Sequence, residues 1–403
     1  MNEQKQQNPP GRRRTVAPPI KRRTLITLAA VQCGPVRTMR WPNPVPTEAW
    51  YFSSVGRILA VEPVLPAFRH AQQDITDQLV DGLATDATMG EVIRRIHRST
   101  GVETRHLVMP IEQYRDIDSF TNANALFHRH GLDLAVQATT GALTKAGVTA
   151  ADVDYLFFTT VTGVGAPSLD AELSTHLGFR SDLVRVPSFG LGCVAGASGL
   201  ARVADYLRGH PGAIGLVVSV ELCSLTVQWD DPSMANIVGT GLFGDGAAAV
   251  VMVGEDNPRE GGVRVIASRS ALYPESKETI GWRIGSTGFR LMLTPAVPEL
   301  IDAHLAGDVE QLLADNGLTR SDIGSWIAHP GGPRVLEAFS DTLGLSPSDL
   351  ATSWQVMAEV GNLSSSAVLH VLARSMDRPS GHRALLFALG PGVSVELVLL
   401  EWT

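Results

Sequence analysis

In LARVADYL (200–207) the apolar positions Leu200, Val203, Ala204 and Leu207 recur at i, i+3, i+4 and i+7, the spacing of one helix face. Gly209 and Pro211 mark its end. Ahead of it, DLAVQATTGALTKAG (133–147) predicts another helix and DYLFFTT (154–160) a buried strand; behind it, AIGLVVSVEL (213–222) predicts a second strand. The second half replays this order, with a helix over about 297–316, a strand at SWIAHP (325–330), a helix at SSSAVLHVLARSM (364–376) and a strand at RALLFALG (383–390).

The replay reaches single residues. AGVTAADVDY (146–155) and NGLTRSDIGS (316–325) share Gly147/Gly317, Thr149/Thr319 and Asp152/Asp322 at a constant offset of 170. That shift carries strand 213–222 onto 383–392 and Gly192-Cys193 to within one residue of Gly361-Asn362. The expected fold is therefore α/β, two pseudo-symmetric halves over 55–260 and 261–403, each supplying a mostly parallel sheet with helices packed on its faces. Residues 1–54 are rich in Pro, Gln and Arg without sustained periodicity and are expected to form a disordered extension.

Composition narrows the partner. A net charge of −8 in 403 residues gives no basic field for a nucleic-acid backbone. Cys33, Cys193 and Cys223 are too few and too scattered for a disulfide framework or a CxxC metal site. No apolar run approaches the roughly 20 residues of a membrane span. Residues 12–33 imitate a secretory signal, with basic residues ahead of an apolar stretch, but no convincing small-x-small cleavage site follows. The expectation is a cytoplasmic protein acting on a small molecule.

Cys193 lies in FGLGCVAGASG, where small residues clear space at the start of a helix. Unpaired NH groups and the helix dipole there favour a thiolate, so Cys193 reads as a nucleophile against the alternative of a small buried hydrophobe. His329, in AHPGGP, sits at a strand-to-loop corner and can accept the thiol proton or be satisfied by backbone. Asn362, in EVGNLSSS, is the repeat's counterpart of Cys193; its amide can donate to an oxyanion, or it caps the following helix. All three follow predicted strands, where ligands of parallel sheets bind. GTGLFG (239–244) is followed by strand-like AAAVVMVG and reads as a turn, not a dinucleotide site. His128 and His130 lack partners at ligand spacing, so no metal is expected.

Cys193, AHPGGP, GNLSSS, GLFGDGAAAVV (241–251) and ALGPG (388–392), in this order, make the chain resemble the type III polyketide synthases, the chalcone synthase family on the thiolase fold, from about Val55 to Thr403. The resemblance implies αβαβα layers, a homodimer, and an acyl-CoA starter held on Cys193 and extended by decarboxylative condensation with malonyl-CoA. His329 and Asn362 would hold the enolate and thioester oxygens, with no metal or redox cofactor. It also implies CoA contacts at Arg94, Arg95 and Arg98 in RRIHR, with Arg334 weaker, and substrate contacts at Thr162, Ala166, Cys223, Trp282, Leu291 and the loop Gly390, Pro391, Gly392.

Ala166, Cys223 and Leu291 are smaller or more apolar than their plant counterparts. The expectation is a fatty acyl-CoA starter giving alkylpyrone or alkylresorcinol products; Trp282, at a usually glycine position, argues the other way by its bulk. Alternatives are a ketoacyl-ACP synthase III-like priming enzyme, a catalytically inactive acyl-binding homologue, and a papain-like peptidase, which the absence of CGSCW disfavours.

Overall fold

Thr149 and Thr319, paired by the sequence repeat, open the same local structure. Each donates its backbone NH and its hydroxyl at 2.8 Å to the carboxylate three residues on, Asp152 or Asp322, and each follows a glycine at φ near +65°, Gly147 (64°) and Gly317 (67°). The structure is a computed structural model that describes residues 56–403. The expected extension 1–54, the signal-like stretch 12–33 and Cys33 lie outside the described residues.

The strands are β1 (Arg57–Val64), β2 (Phe68–Ala71), β3 (Thr104–Leu107), β4 (Tyr155–Thr160), β5 (Val184–Phe189), β6 (Ile214–Leu222), β7 (Asp245–Val253), β8 (Val263–Leu272), β9 (Ile280–Gly285), β10 (Gly288–Leu293), β11 (Ser325–Ala328), β12 (Arg383–Gly390) and β13 (Ser394–Trp402). The helices are α1 (Gln72–Leu83), α2 (Ala87–Ser99), α3 (Phe120–Ala146), α4 (Leu169–Leu177), α5 (Ala195–Gly209), α6 (Met234–Leu242), α7 (Val297–Asp315), α8 (Pro333–Leu343), α9 (Ala351–Val360) and α10 (Ala367–Ala373).

One nine-stranded sheet runs β11-β12-β13-β8-β1-β7-β6-β4-β5. Its order is palindromic: β4-β6-β7-β1 and β11-β12-β13-β8 each pair parallel, antiparallel, antiparallel. β1 and β8 meet at the centre through Arg57↔Arg264 and Ile58↔Val263, and β5 adds an edge parallel to β4. Two features of the expected sheets are corrected. The halves share one sheet, and only three of its pairings are parallel. The three residues between β12 and β13 are too few for a parallel crossover, which needs a dozen or more.

Alternation along the strands explains the layers. On β6, Val217 joins α5 and α10 in one core, while Leu216, Val218 and Val220 face α3 in another. On β12, Ala384, Leu386 and Ala388 face α5 and α10, and Leu385, Phe387 and Leu389 face α7 and α8. Both halves thus turn one face toward α5 and α10, giving the layers α, β, α, β, α. Every residue from Ala367 to Leu372 in α10 is buried, as a helix enclosed on all sides requires. GTGLFG is the C-terminal end of α6 leading into β7, not a free turn.

Candidate active site

Cys193 occupies a 3₁₀ turn, Gly192–Val194, between β5 and α5. This turn is held from the other half. A side-chain carbon on Gly192, at φ 56°, would lie 2.5 Å from Pro391 Cδ, and one on Gly390 would lie 2.5 Å from the Leu191 carbonyl, so the proline ring and a left-handed backbone favour glycine at the first and close backbone approach at the second. Gly390 and Pro391, expected to touch substrate, form the floor under the nucleophile's turn; Gly392 donates to the Ile280 carbonyl at 3.3 Å and accepts from the Ser276 hydroxyl.

The thiol is buried and approaches Ser364 Oγ at 3.7 Å. Burial pushes it up to about 12; the Glu221 carboxylate pushes the same way, while hydrogen bonds from Ser364 and Asn362 oppose. The lowering expected from the helix start is therefore outweighed by desolvation. His329 follows β11, its NH bonded to the Phe387 carbonyl at 2.9 Å. Its ring is 2% exposed, neither nitrogen has a partner among the described residues, and burial pulls it down to about 3. Burial thus favours the uncharged form of both the thiol and the imidazole.

Asn362 closes the set. Its backbone bonds Leu242 and Gly244 of the first half at 2.8 and 3.0 Å. Its Oδ1 accepts from the Ser364 NH at 2.8 Å, and its Nδ2 donates to the Gly331 carbonyl at 3.3 Å, two residues past His329. The oxygen thus makes a local turn and is not the cap of the following helix, whose capping position is Leu363, and this bond turns the NH2 toward the His329 loop and the thiol. The structure sets Asn362 beside both the Cys193 thiol and the His329 loop.

Glu221, at the end of β6, was not singled out from the sequence. Its buried carboxylate accepts from the Val161 NH (3.1 Å), Thr162 Oγ1 (2.9 Å), Thr160 Oγ1 (3.3 Å) and the Ser365 hydroxyl, and burial raises its pKa. A lone carboxylate in the apolar run AIGLVVSVEL was the available signal. Thr162, an expected substrate contact, is 3% exposed and serves Glu221 and the Leu222 NH.

A cavity of about 70 Å³ is lined by Cys223, Trp282 and Leu291, with Leu79, Tyr114 and Arg105 among the other walls. Trp282 and Leu291 are cross-strand partners on β9 and β10, and the Trp282 ring stands 6.3 Å from Phe243 and 6.1 Å from Phe289. Ala166 is not there. It lines a separate depression with Phe127, His128 and Phe189, in the loop between β4 and α4. On α2, Arg94 reaches Glu91 at 3.3 Å and Asp77 at 3.8 Å, while Arg95 and Arg98 are exposed. Arg334 is exposed in the first turn of α8, just after the His329 loop.

A duplicated five-layer α/β fold with cysteine, histidine and asparagine converging from both halves defines a thiolase-like protein. The chain belongs to the chalcone and stilbene synthases: their N-terminal domain matches residues 51–257 and their C-terminal domain residues 264–402. It is 49% identical over 350 residues, 86% of this chain and 93% of the other, to a 1,3,6,8-tetrahydroxynaphthalene synthase of Streptomyces peucetius subsp. caesius. It is 32% identical to an alpha-pyrone synthesis polyketide synthase-like protein of Mycobacterium tuberculosis, covering 82% and 87%. The crystal structure of the tetrahydroxynaphthalene synthase from Streptomyces coelicolor A3(2), a bacterial type III polyketide synthase, superposes with TM-score 0.81 at 31% identity, over 86% of this chain and 99% of that one. The protein is a type III polyketide synthase, a malonyl-CoA-condensing acyltransferase. No helix among the described residues is long and apolar enough to cross a membrane.

Proposed function

We propose that this synthase uses malonyl-CoA as both starter and extender and releases a polyhydroxylated aromatic product. The observation that carries this reading is Trp282, a bulky ring on the wall of the same cavity as Cys223, packed near Phe243 and Phe289, which leaves little room there for a long starter. The 49% identical tetrahydroxynaphthalene synthase supports it.

The residues suit the chemistry. The Cys193 thiol gives its proton to His329 as sulfur attacks the starter's thioester, and the proton leaves with the CoA thiolate. A second malonyl-CoA loses CO2, and its enolate oxygen, then the tetrahedral oxyanion formed at the Cys193 thioester, accept hydrogen bonds from His329 and the Asn362 NH2. Arg95, Arg98 and Arg334 are the exposed cations for CoA phosphates, with Arg94 less available through its carboxylate partners. The reaction as proposed calls for no metal or redox group.

A long-chain starter is the second reading, favoured by Ile75, Leu79, Leu107, Ile111 and Leu291 in the cavity wall and by the alpha-pyrone-type relative. Each buried CH2 contributes about 0.8 kcal/mol. Incubation with malonyl-CoA alone decides between the two: an aromatic polyketide is expected, and a strict need for a fatty acyl-CoA overturns the proposal, as does turnover only with acyl carrier protein. Trp282→Gly should raise kcat/KM for an octanoyl-CoA starter about tenfold or more. Unchanged starter preference would remove Trp282 from the starter's path.

The assembly unit is a homodimer joined along β5. This edge strand carries exposed Val184, Val186 and Phe189 and a proline, a combination left open for a second copy. Val186→Lys should shift the species in light scattering from dimer to monomer; a dimer in both proteins would place the interface elsewhere.

A further inference from the structure

Arg105, on β3, is 3% exposed and lines the cavity with Cys223, Phe243 and Trp282. Its Nη1 donates to the carbonyls of Thr240 (2.6 Å) and Phe243 (2.8 Å), closing the end of α6. Its Nε and Nη2 have no acceptor among the described residues. These two atoms form the side-on fork of the guanidinium, whose parallel NH bonds match the two oxygens of a carboxylate.

The neighbouring acid does not use that fork. Asp245 accepts from the Val108 NH, the Ser224 NH and the Ser224 hydroxyl, and it makes no ion pair with Arg105 among the described residues. Burial pulls Arg105 down to about 10, so it stays cationic at neutral pH. Capping α6 needs only Nη1. Nε and Nη2 are themselves buried, in a residue that lines the cavity, and a buried cation with an open pair of donors is costly unless an anion completes it. The side chain also packs on the catalytic turn: its Cδ lies 3.3 Å from where a side-chain carbon on Gly361 would stand, one residue before Asn362.

We propose that the Nε–Nη2 fork of Arg105 receives the free carboxylate of a malonyl starter while its thioester is on Cys193. This rests on the malonyl-primed reading above and names the residue that selects that starter. Holding a carboxylate stabilises it against CO2 loss, so the site fits the starter, whose carboxylate is retained through loading, and not the extender, whose carboxylate must leave. During loading the CoA sulfur–carbonyl bond breaks, the Cys193 sulfur–carbonyl bond forms, the thiol proton passes through His329 to the CoA thiolate, and the carboxylate is unchanged.

The test follows acylation of Cys193 by mass spectrometry with malonyl-CoA, the CoA thioester of monomethyl malonate, and hexanoyl-CoA. Wild-type enzyme should load malonyl at least about tenfold faster than the uncharged methyl ester, the scale of a hydrogen-bonded charge; equal rates overturn the proposal without any variant. Arg105→Met should erase that preference with hexanoyl loading within about threefold of wild type, and Arg105→Lys should retain part of it. An equal fall for all three thioesters assigns Arg105 to capping alone and also overturns it. Arg105-dependent malonyl loading without an aromatic product would sink the product assignment and leave this inference standing.

Discussion

His329→Ala is expected to slow alkylation of Cys193 by iodoacetamide at pH 7 at least about a hundredfold. The reason is the solvent-poor position of both groups. Burial holds the thiol up near 12 and the imidazole down near 3, so neither ionises alone near neutrality. Proton transfer between them creates two opposite charges that stabilise each other, which neither achieves against water. Without the imidazole, the thiol can lose its proton only to solvent. The thiolate fraction then rises tenfold per pH unit, and the variant's alkylation rate should climb with that slope between pH 7 and 10. The wild-type rate should be flatter over the same range. Equal rates and slopes in the two proteins would show that His329 does not take the Cys193 proton.

Gly196→Ala should produce the second large effect, on stability. Its added carbon would stand 2.2 Å from the Ser365 carbonyl oxygen and 2.9 Å from Val368 Cγ1. One contact is backbone, in the turn that carries Ser364 to Ser366, so relief requires α5 and that turn to separate in the middle layer. Overpacking of this kind costs about 3 kcal/mol, and a fall of roughly 4 °C in the thermal midpoint is expected by circular dichroism. Gly209→Ala, at the other end of α5 where nothing lies within 4 Å of the new carbon, is the control and should melt with the wild type. A Gly196→Ala protein that melts with it would mean that the two segments pack less tightly than described.

The repeat was legible because its signals are local: the Thr149 and Thr319 caps and the apolar runs of β4, β6 and β12 depend on a few neighbouring residues. The approach of Asn362 to the Cys193 turn followed, since duplication dictates which strand ends correspond. Strand direction did not, because antiparallel β7 and β13 are buried on both faces and read as continuous apolar runs, as parallel strands do. The start of α3 at Phe120 was missed because FTNANALFHRHG offers no regular apolar face; Ser119 capping the Asn122 NH sets it. The thiol's pKa was misjudged in direction because burial is a property of the assembled layers, not of the residues flanking Cys193. Ala166 lines a different cavity from Cys223, Trp282 and Leu291, which sequence proximity alone did not separate.

The two catalytic turns are each braced by the opposite repeat, Cys193 by Gly390 and Pro391, Asn362 by Leu242 and Gly244. Separately expressed fragments cut near residue 260 would therefore each carry a reactive group without its scaffold, and chemistry should return only on their reassociation. The repeats can differ in side chain, sulfur in one and amide in the other, but not in the backbone path that lets each support its sibling.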